Sequence, residues 1–271
     1  MRRAGLVVGS VLVGATVLVA LVSFFWTPYD PVRVDPTAVL RPPFTAHLLG
    51  TDGFGIDVAS RLMVGAQTTL LVGVIAVGIA AVCGVPIGIL SGVAGGWVSE
   101  VVMRATDVLY AFPALLLAIL LAAAFGASTW TAMVAIGIAT IPAFARVARA
   151  GTLQVMASDY VLAARAAGTG RLAVATRHIL PNVAPVIGVQ ASVAFGIAIL
   201  AEAALSYLGL ATPPPTPTWG RMLRDAQTYL FSDPVLALWP GLAIALAVLG
   251  FNLLGDGLRD ALDPRLRERT R

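Results

Sequence analysis

The chain has no lysine: all 18 basic residues among its 271 are arginine. A phosphate-binding loop of the Walker A type needs its lysine at the phosphates, and an imine-forming enzyme needs a lysine amine. Both are excluded. Cysteine is nearly absent too. Cys83 stands alone, so neither an intrachain disulfide nor a cysteine metal cluster can form. His47 and His178 are the two histidines, and they lie far apart. No HExxH, GxSxG or GxGxxG pattern occurs. Charge is scarce as well, at 12% of residues against roughly 25% in a soluble domain.

What is abundant is apolar: 58% of residues, in long runs. Six stretches approach or exceed the ~20 residues a helix needs to cross a bilayer core. They run about Gly5–Trp26, Met63–Leu90, Val108–Phe125, Thr131–Ala145, Val183–Ala201 and Val235–Leu254. Pro142 and Arg146 cut the fourth short. In hydrocarbon the backbone must satisfy its own polar groups, so each run is expected to be a helix. The fold class is therefore an all-α membrane protein with six transmembrane helices. The first run is longer than the apolar core of a signal peptide and is expected to be an uncleaved anchor.

Six crossings put both ends of the chain on one side. If that side is inside, the inner segments hold Arg2, Arg3, Arg104, Arg146, Arg149, Arg165, Arg171, Arg177, Arg259, Arg265, Arg267, Arg269 and Arg271. The outer ones hold only Arg33, Arg41, Arg61, Arg221 and Arg224. Thirteen against five predicts cytoplasmic termini.

The centres of the spans carry no charge. Asp107, Arg146 and Glu202 fall at span ends, and Gln67 and Asn252 are the polar residues nearest to span interiors. No proton relay or voltage sensor of the kind that ion-driven transporters build in the membrane is visible. Any energy for transport is expected from outside the bilayer. In the second span Gly84, Gly88 and Gly92 form a stripe that lets another helix approach closely, with Pro86 inside it. Near its start, Asp52, Asp57 and Arg61 are expected to form a local ion-pair cluster.

The segment from Thr152 to Asn182 is polar enough for water and still reads as structured. Ser158 or Asp159 can cap a helix, Tyr160 to Ala167 is rich in helix formers, and Gly168 suits the C′ position. A second helix is expected from Arg171 to Leu180, ending before Pro181, with Asn182 capping the fifth span. Ala163, Ala164 and Ala167 form a smooth face next to Gly168, suited to insertion into a groove, and Tyr160 and Arg165 flank it as anchors. His178, Leu180, Pro181 and Asn182 are expected to structure the end of the loop. One histidine with no other ligand nearby is a poor metal site.

The spacing A-A-x-x-x-G, followed after nine residues by x-x-L-P, resembles the EAA loop of ABC importer permeases. Leu162 replaces the glutamate of that motif, and R-H-I-L-P-N is written as in the peptide-importer branch. Leu49–Leu70, Gly95–Ile119, Glu202–Leu223 and Pro240–Arg265 resemble other segments of the dipeptide/oligopeptide/nickel permeases, in the same order along the chain. Ile56 and Gln67 replace two arginines of that pattern.

The resemblance implies a type I importer permease that forms half of a translocation pathway for di- or oligopeptides; nickel and haem are carried by other members. An ion-driven secondary transporter and a non-transporting scaffold are the readings from other classes. The division implied is an anchor and extracytoplasmic segment over 1–62, the permease domain over 63–258 with its coupling loop at 152–182, and an arginine-rich cytoplasmic tail over 259–271. The chain would be no enzyme and hold no cofactor or metal. ATP would be bound by two ABC ATPase subunits docked on Asp159, Tyr160, Ala163, Ala164, Arg165, Ala167 and Gly168. The other expected partners are a second homologous permease, an extracytoplasmic substrate-binding protein and bacterial inner-membrane lipid, with no nucleic acid. The TPPPTP run at 212–217 is stiff and would lie outside, where a binding protein arrives.

Overall fold

The computed structural model describes residues 2–262; the expected tail beyond Leu262, with Asp263, Arg265, Arg267, Arg269 and Arg271, lies outside the described residues. The helices are α1 (Arg2–Val22), α2 (Val58–Ala94), α3 (Gly96–Ala111), α4 (Ala114–Phe125), α5 (Thr129–Met156), α6 (Asp159–Ala166), α7 (Arg171–Val174), α8 (Leu180–Leu208), α9 (Trp219–Gln227) and α10 (Val235–Leu262). A π-helical turn, Ala175–Ile179, joins α7 to α8. Among the described residues there is no strand, only an isolated bridge between Thr51 and Asp57.

The stripe of glycines in α2 decides the centre of the bundle. A β-carbon on Gly84 would meet Ile141 and Phe144, one on Gly88 would meet Ala145 and Ala148, and one on Gly92 would meet Thr152. The numbers rise together, so α2 and α5 run parallel with their backbones nearly touching. Two parallel helices in sequence require the chain between them to cross back. The segment α3–α4 makes that return, and it is bent by 80° at the break. The expected third span, Val108–Phe125, is thus no single straight helix. Pro113 is the reason. It forces the residue before it out of helical geometry, and Phe112 adopts φ −78°, ψ 123°.

The fourth span is corrected in the other direction. α5 continues through both Pro142 and Arg146 for 28 residues. Neighbouring helices allow proline within a membrane helix. Arg146 is held on α3 by Asp107 Oδ1 at 2.7 Å and lies 4.0 Å above the Tyr110 ring. The expected break before Pro181 is absent as well. The chain is helical from Arg171 to Leu208; Pro181 falls directly after the π turn, and the helix continues through it although its missing N–H leaves one intrahelical bond unmade. Asn182 does not cap this helix; its Nδ2 donates to the His178 carbonyl at 2.7 Å.

α8 runs against α5, with Gly151 near Val183 at one end and Thr129 donating to Thr212 at 3.0 Å at the other. α10 packs antiparallel to α8, where Gly196 faces Asn252 and Gly255 faces Ser192. α1 packs antiparallel to α10 through Gly9, Gly250 and Gly257, the last against Leu6. Five long helices and one broken one therefore cross six times. The start of α1, the end of α10 and the α6 loop share one side, here the near side. Residues 27–57, 126–128 and 209–234 share the far side.

Small residues fill the centre: Ala76, Ala80, Ala135, Ala145, Ala148 and Ala194 are all buried. Large apolar side chains such as Val11, Leu18, Val74, Val82 and Leu200 point outward. That inversion of a soluble protein is what lipid and helix-packing interfaces require, because lipid tails are as apolar as leucine and association rests on close backbone approach.

Candidate functional site

On the near side α6 stands out from the bundle on a single anchor. Val161 is fully buried, with 0% exposure, in the apolar cluster that also holds Phe144 and Ala148 of α5, Val174 of α7, Ile179 of the π turn and Val183 of α8, and α6 itself packs on α5 and α7. The rest of the helix faces outward: Asp159, Tyr160, Leu162, Ala163, Arg165 and Ala167 are exposed and Ala164 is half-buried. Asp159 in the first turn and Arg165 in the last complement the helix dipole. Ser158 occupies the N-cap position without a side-chain cap, since its hydroxyl donates to the Val155 carbonyl at 2.5 Å.

The C-terminus of α6 closes as a Schellman motif. Thr169 N–H donates to Ala164 O at 3.0 Å and Gly168 N–H to Arg165 O at 3.0 Å. Gly168 has φ +85°, a conformation that glycine alone adopts without strain. The turn delivers the chain into Gly170 and α7. His178 sits at the far edge of this loop with its ring edge-on to Tyr160, centroids 6.0 Å apart. Leu180, Pro181 and Asn182 are exposed. Arg165, Thr169 and Arg171 line a small cavity floored by Val93, Met156 and Val174. The sequence treats α6 and the end of the loop as separate groups; the structure brings Tyr160 to His178 and Arg165 to Arg171.

The far side is held by a buried ionic block. Arg61 binds Asp52 and, at 3.0 Å, Asp225 of α9. Asp57 takes no part in it, contrary to the expected Asp52–Asp57–Arg61 cluster. Its Oδ2 caps α2 by accepting from the Ser60 N–H at 2.7 Å, and its Oδ1 pairs with His47 Nδ1 at 2.9 Å. Tyr29 lies on the His47 ring, centroids 4.3 Å apart. Asp225 and His47 were not readable as partners, since 164 residues separate Arg61 from Asp225.

α9 is fixed just as closely. Thr218 caps it, Trp219 fits against Gly65 of α2, and Gly220 lies on the backbone of Ala203 in α8. Trp219 Nε1 donates to Leu62 O at 2.9 Å. Just before these anchors Pro213–Thr216 is exposed. Glu202 was expected at a span boundary; it is instead fully buried in α8, accepting from Ser206 Oγ at 2.6 Å. Its Oε2 and the Thr69 Oγ of α2 have no hydrogen-bond partner among the described residues.

The family model described as "Binding-protein-dependent transport system inner membrane component" matches residues 84–268, more than half of the chain. The chain belongs to this family. It is 40% identical over 262 residues to the dipeptide transport system permease protein DppC of Alkalihalophilus pseudofirmus, covering 96% of this chain and 86% of that one. It is 41% identical to the glutathione transport system permease protein GsiD of Pectobacterium atrosepticum, covering 95% of this chain and 87% of that one. Identity is again 41% to the probable D,D-dipeptide transport system permease protein DdpC of Escherichia coli, with coverage of 96% and 87%. Among solved structures, an inward-facing form of the MetNI methionine ABC transporter matches with TM-score 0.62 at 16% identity, over 75% of this chain and 96% of that one. That likeness shows the fold: the type I ABC importer permease. The chain is thus a multi-pass membrane permease subunit of an ABC transporter and not an enzyme; in this family ATP hydrolysis occurs in separate subunits.

Proposed function

We propose that this permease carries short peptides inward as one half of a translocation pathway, paired with a second, homologous permease. The observation that supports the substrate class most is the set of relatives at about 40% identity over nearly the whole chain, whose names give dipeptides, D,D-dipeptides and glutathione. The near side is the cytoplasm, as the excess of arginines there requires, and the membrane is the bacterial inner membrane. A substrate-binding protein arrives on the far side, where Pro213–Thr216 is exposed.

ATP is bound by two ATPase subunits, one of which docks on α6. Asp159, Tyr160, Ala163, Ala164, Arg165, Ala167 and Gly168 supply the contact, and His178, Leu180, Pro181 and Asn182 hold the end of the loop. Val161 is the fulcrum. Its helix packs on α5 and α7, and α7 runs on through the π turn into α8, so a displacement of α6 is delivered to α5 directly and to α8 along the chain. Closely packed helices with glycine contacts repack between discrete arrangements rather than bend continuously. ATP favours the arrangement to which the closed ATPase dimer fits better.

The test is reconstitution of the complete transporter with labelled di-, tri- and tetrapeptides, glutathione and nickel. Uptake of short peptides with ATP, and none with an ion gradient alone, is expected. Nickel as the preferred cargo, or uptake without ATP, refutes the reading. Ala163→Trp, on the exposed face of α6, is expected to leave membrane insertion intact and abolish ATP-coupled uptake.

A further inference from the structure

The charge of the α6 loop is strongly one-sided. Between residues 152 and 182 there is one acid, Asp159, against Arg165, Arg171 and Arg177. Leu162, 48% exposed, is apolar at the outward position next to Ala163. The structure adds a second fact that the sequence alone does not give. Arg165, at the end of α6, and Arg171, at the start of α7, are brought by the Gly168 turn to the rim of one cavity, with Thr169 between them. Among the described residues neither arginine has a salt-bridge partner. Asp159 is at the other end of α6, six residues or about 9 Å along the helix axis from Arg165.

Two like charges at one cavity repel, and an anion shared between them turns that repulsion into attraction. The floor of the cavity is apolar, being Val93, Met156 and Val174. A carboxylate on a short apolar stem matches this lining in chemistry: two guanidinium groups and a hydroxyl for its oxygens, and apolar side chains for its stem. The site adjoins the outward face of α6, so the carboxylate comes from whatever seats that face. We propose that the Arg165–Thr169–Arg171 cavity receives an aspartate or glutamate side chain from the docked ATPase subunit, so that the groove accepting α6 is acidic. This rests on the docking reading above and specifies the chemistry of its partner.

The transporter is produced from its full set of subunits, purified in nanodiscs, and the ATPase retained by the permease is measured as salt is raised from about 0.1 to 0.5 M, a range over which exposed charges become screened. Wild-type association is expected to weaken with salt. Arg171→Glu should weaken it about tenfold or more at low salt, the scale of one charge-assisted contact, and flatten the salt dependence. Arg171→Lys should restore most of the affinity. A negative residue at the start of a helix favours the helix dipole, so Arg171→Glu leaves the loop folded, checked by an unchanged size-exclusion profile of the permease itself. In the Arg171→Glu background, Asp→Arg or Glu→Arg changes across the ATPase groove should include one that restores retention.

Retention of the ATPase by Arg171→Glu with wild-type salt dependence overturns the proposal, as does a loss that no charge change in the groove restores. Rescue by inorganic phosphate instead of by a groove variant overturns it too and identifies a free anion as the occupant. Ala163→Trp separates the two levels. If it releases the ATPase while Arg171→Glu does not, docking on α6 stands and the acidic partner falls; if neither does, the docking reading itself falls.

Discussion

Adding a single methyl group at Gly84 tests the parallel α2–α5 pair. A β-carbon there would stand 2.7 Å from the Ile141 carbonyl oxygen and 2.7 Å from Phe144 Cβ. Carbon atoms pack best at about 3.5–4.0 Å, so Gly84→Ala brings Phe144 roughly 1 Å too close. Phe144 is fully buried and its β-carbon moves only with the backbone of α5, so the two helices must separate. A gap of 0.5–1 Å forfeits about a quarter to a half of each contact's dispersion energy. In a membrane this packing is most of what holds helices together. The expected loss is on the scale of overpacking, about 1–3 kcal/mol.

Gly78 supplies the control. It lies on the same helix with nothing within 4 Å of its would-be β-carbon, and alanine is the better helix former. Gly78→Ala is therefore expected to be neutral or mildly stabilising. Purified in detergent, the two variants should differ in thermal unfolding midpoint by several degrees, read by scanning fluorimetry and by the fraction surviving size exclusion after heating. Equal midpoints would show that α2 and α5 are not packed through Gly84, and the derivation of the crossing count from their parallel course would fall with it.

Other outcomes follow from single contacts. Arg61→Ala leaves the carboxylates of Asp52 and Asp225 without their shared cation, and loss of one partner from a buried pair costs about 3–5 kcal/mol; thermal unfolding should register it, with Asp225→Asn much milder. Asp57→Ala removes the α2 cap, worth about 1 kcal/mol, together with the His47 contact, and should open the 27–57 segment to limited proteolysis. Val161→Ala loosens the seat of α6, so ATP hydrolysis should continue while uptake per ATP falls; full coupling in that variant refutes the fulcrum. In a Cys83→Ala background, Thr45→Cys and Thr176→Cys, both at exposed positions, should be labelled by an impermeant thiol reagent from opposite faces of the membrane, and labelling of Thr176→Cys from outside intact cells contradicts the assigned orientation.

How much of this was legible in advance depended on the range of the forces involved. Hydropathy and charge are summed along the chain, so the membrane class, six crossings and an arginine bias came from composition and run length. The Schellman turn at Gly168 involves only the residues beside it, and it was placed correctly. So was the close-packing role of Gly84, Gly88 and Gly92, although which helix they meet was not. The span boundaries failed at prolines, because a proline's effect depends on where it falls. Pro113 bends the chain at a helix junction, Pro142 is carried within a helix supported by its neighbours, and Pro181 follows a π turn without ending the helix.

Tertiary structure alone decided the rest. Asp225 reaches Arg61 across 164 residues, His47 takes Asp57 away from the expected cluster, and Glu202 is drawn from a span edge into the bundle. It also brought Arg165 and Arg171 to the lining of one cavity, on either side of the Gly168 turn. Hydrophobic length and capping are local and survive without a fold. Which charge meets which, and which face a helix buries, exists only once backbones from distant parts of the chain have come within contact of one another.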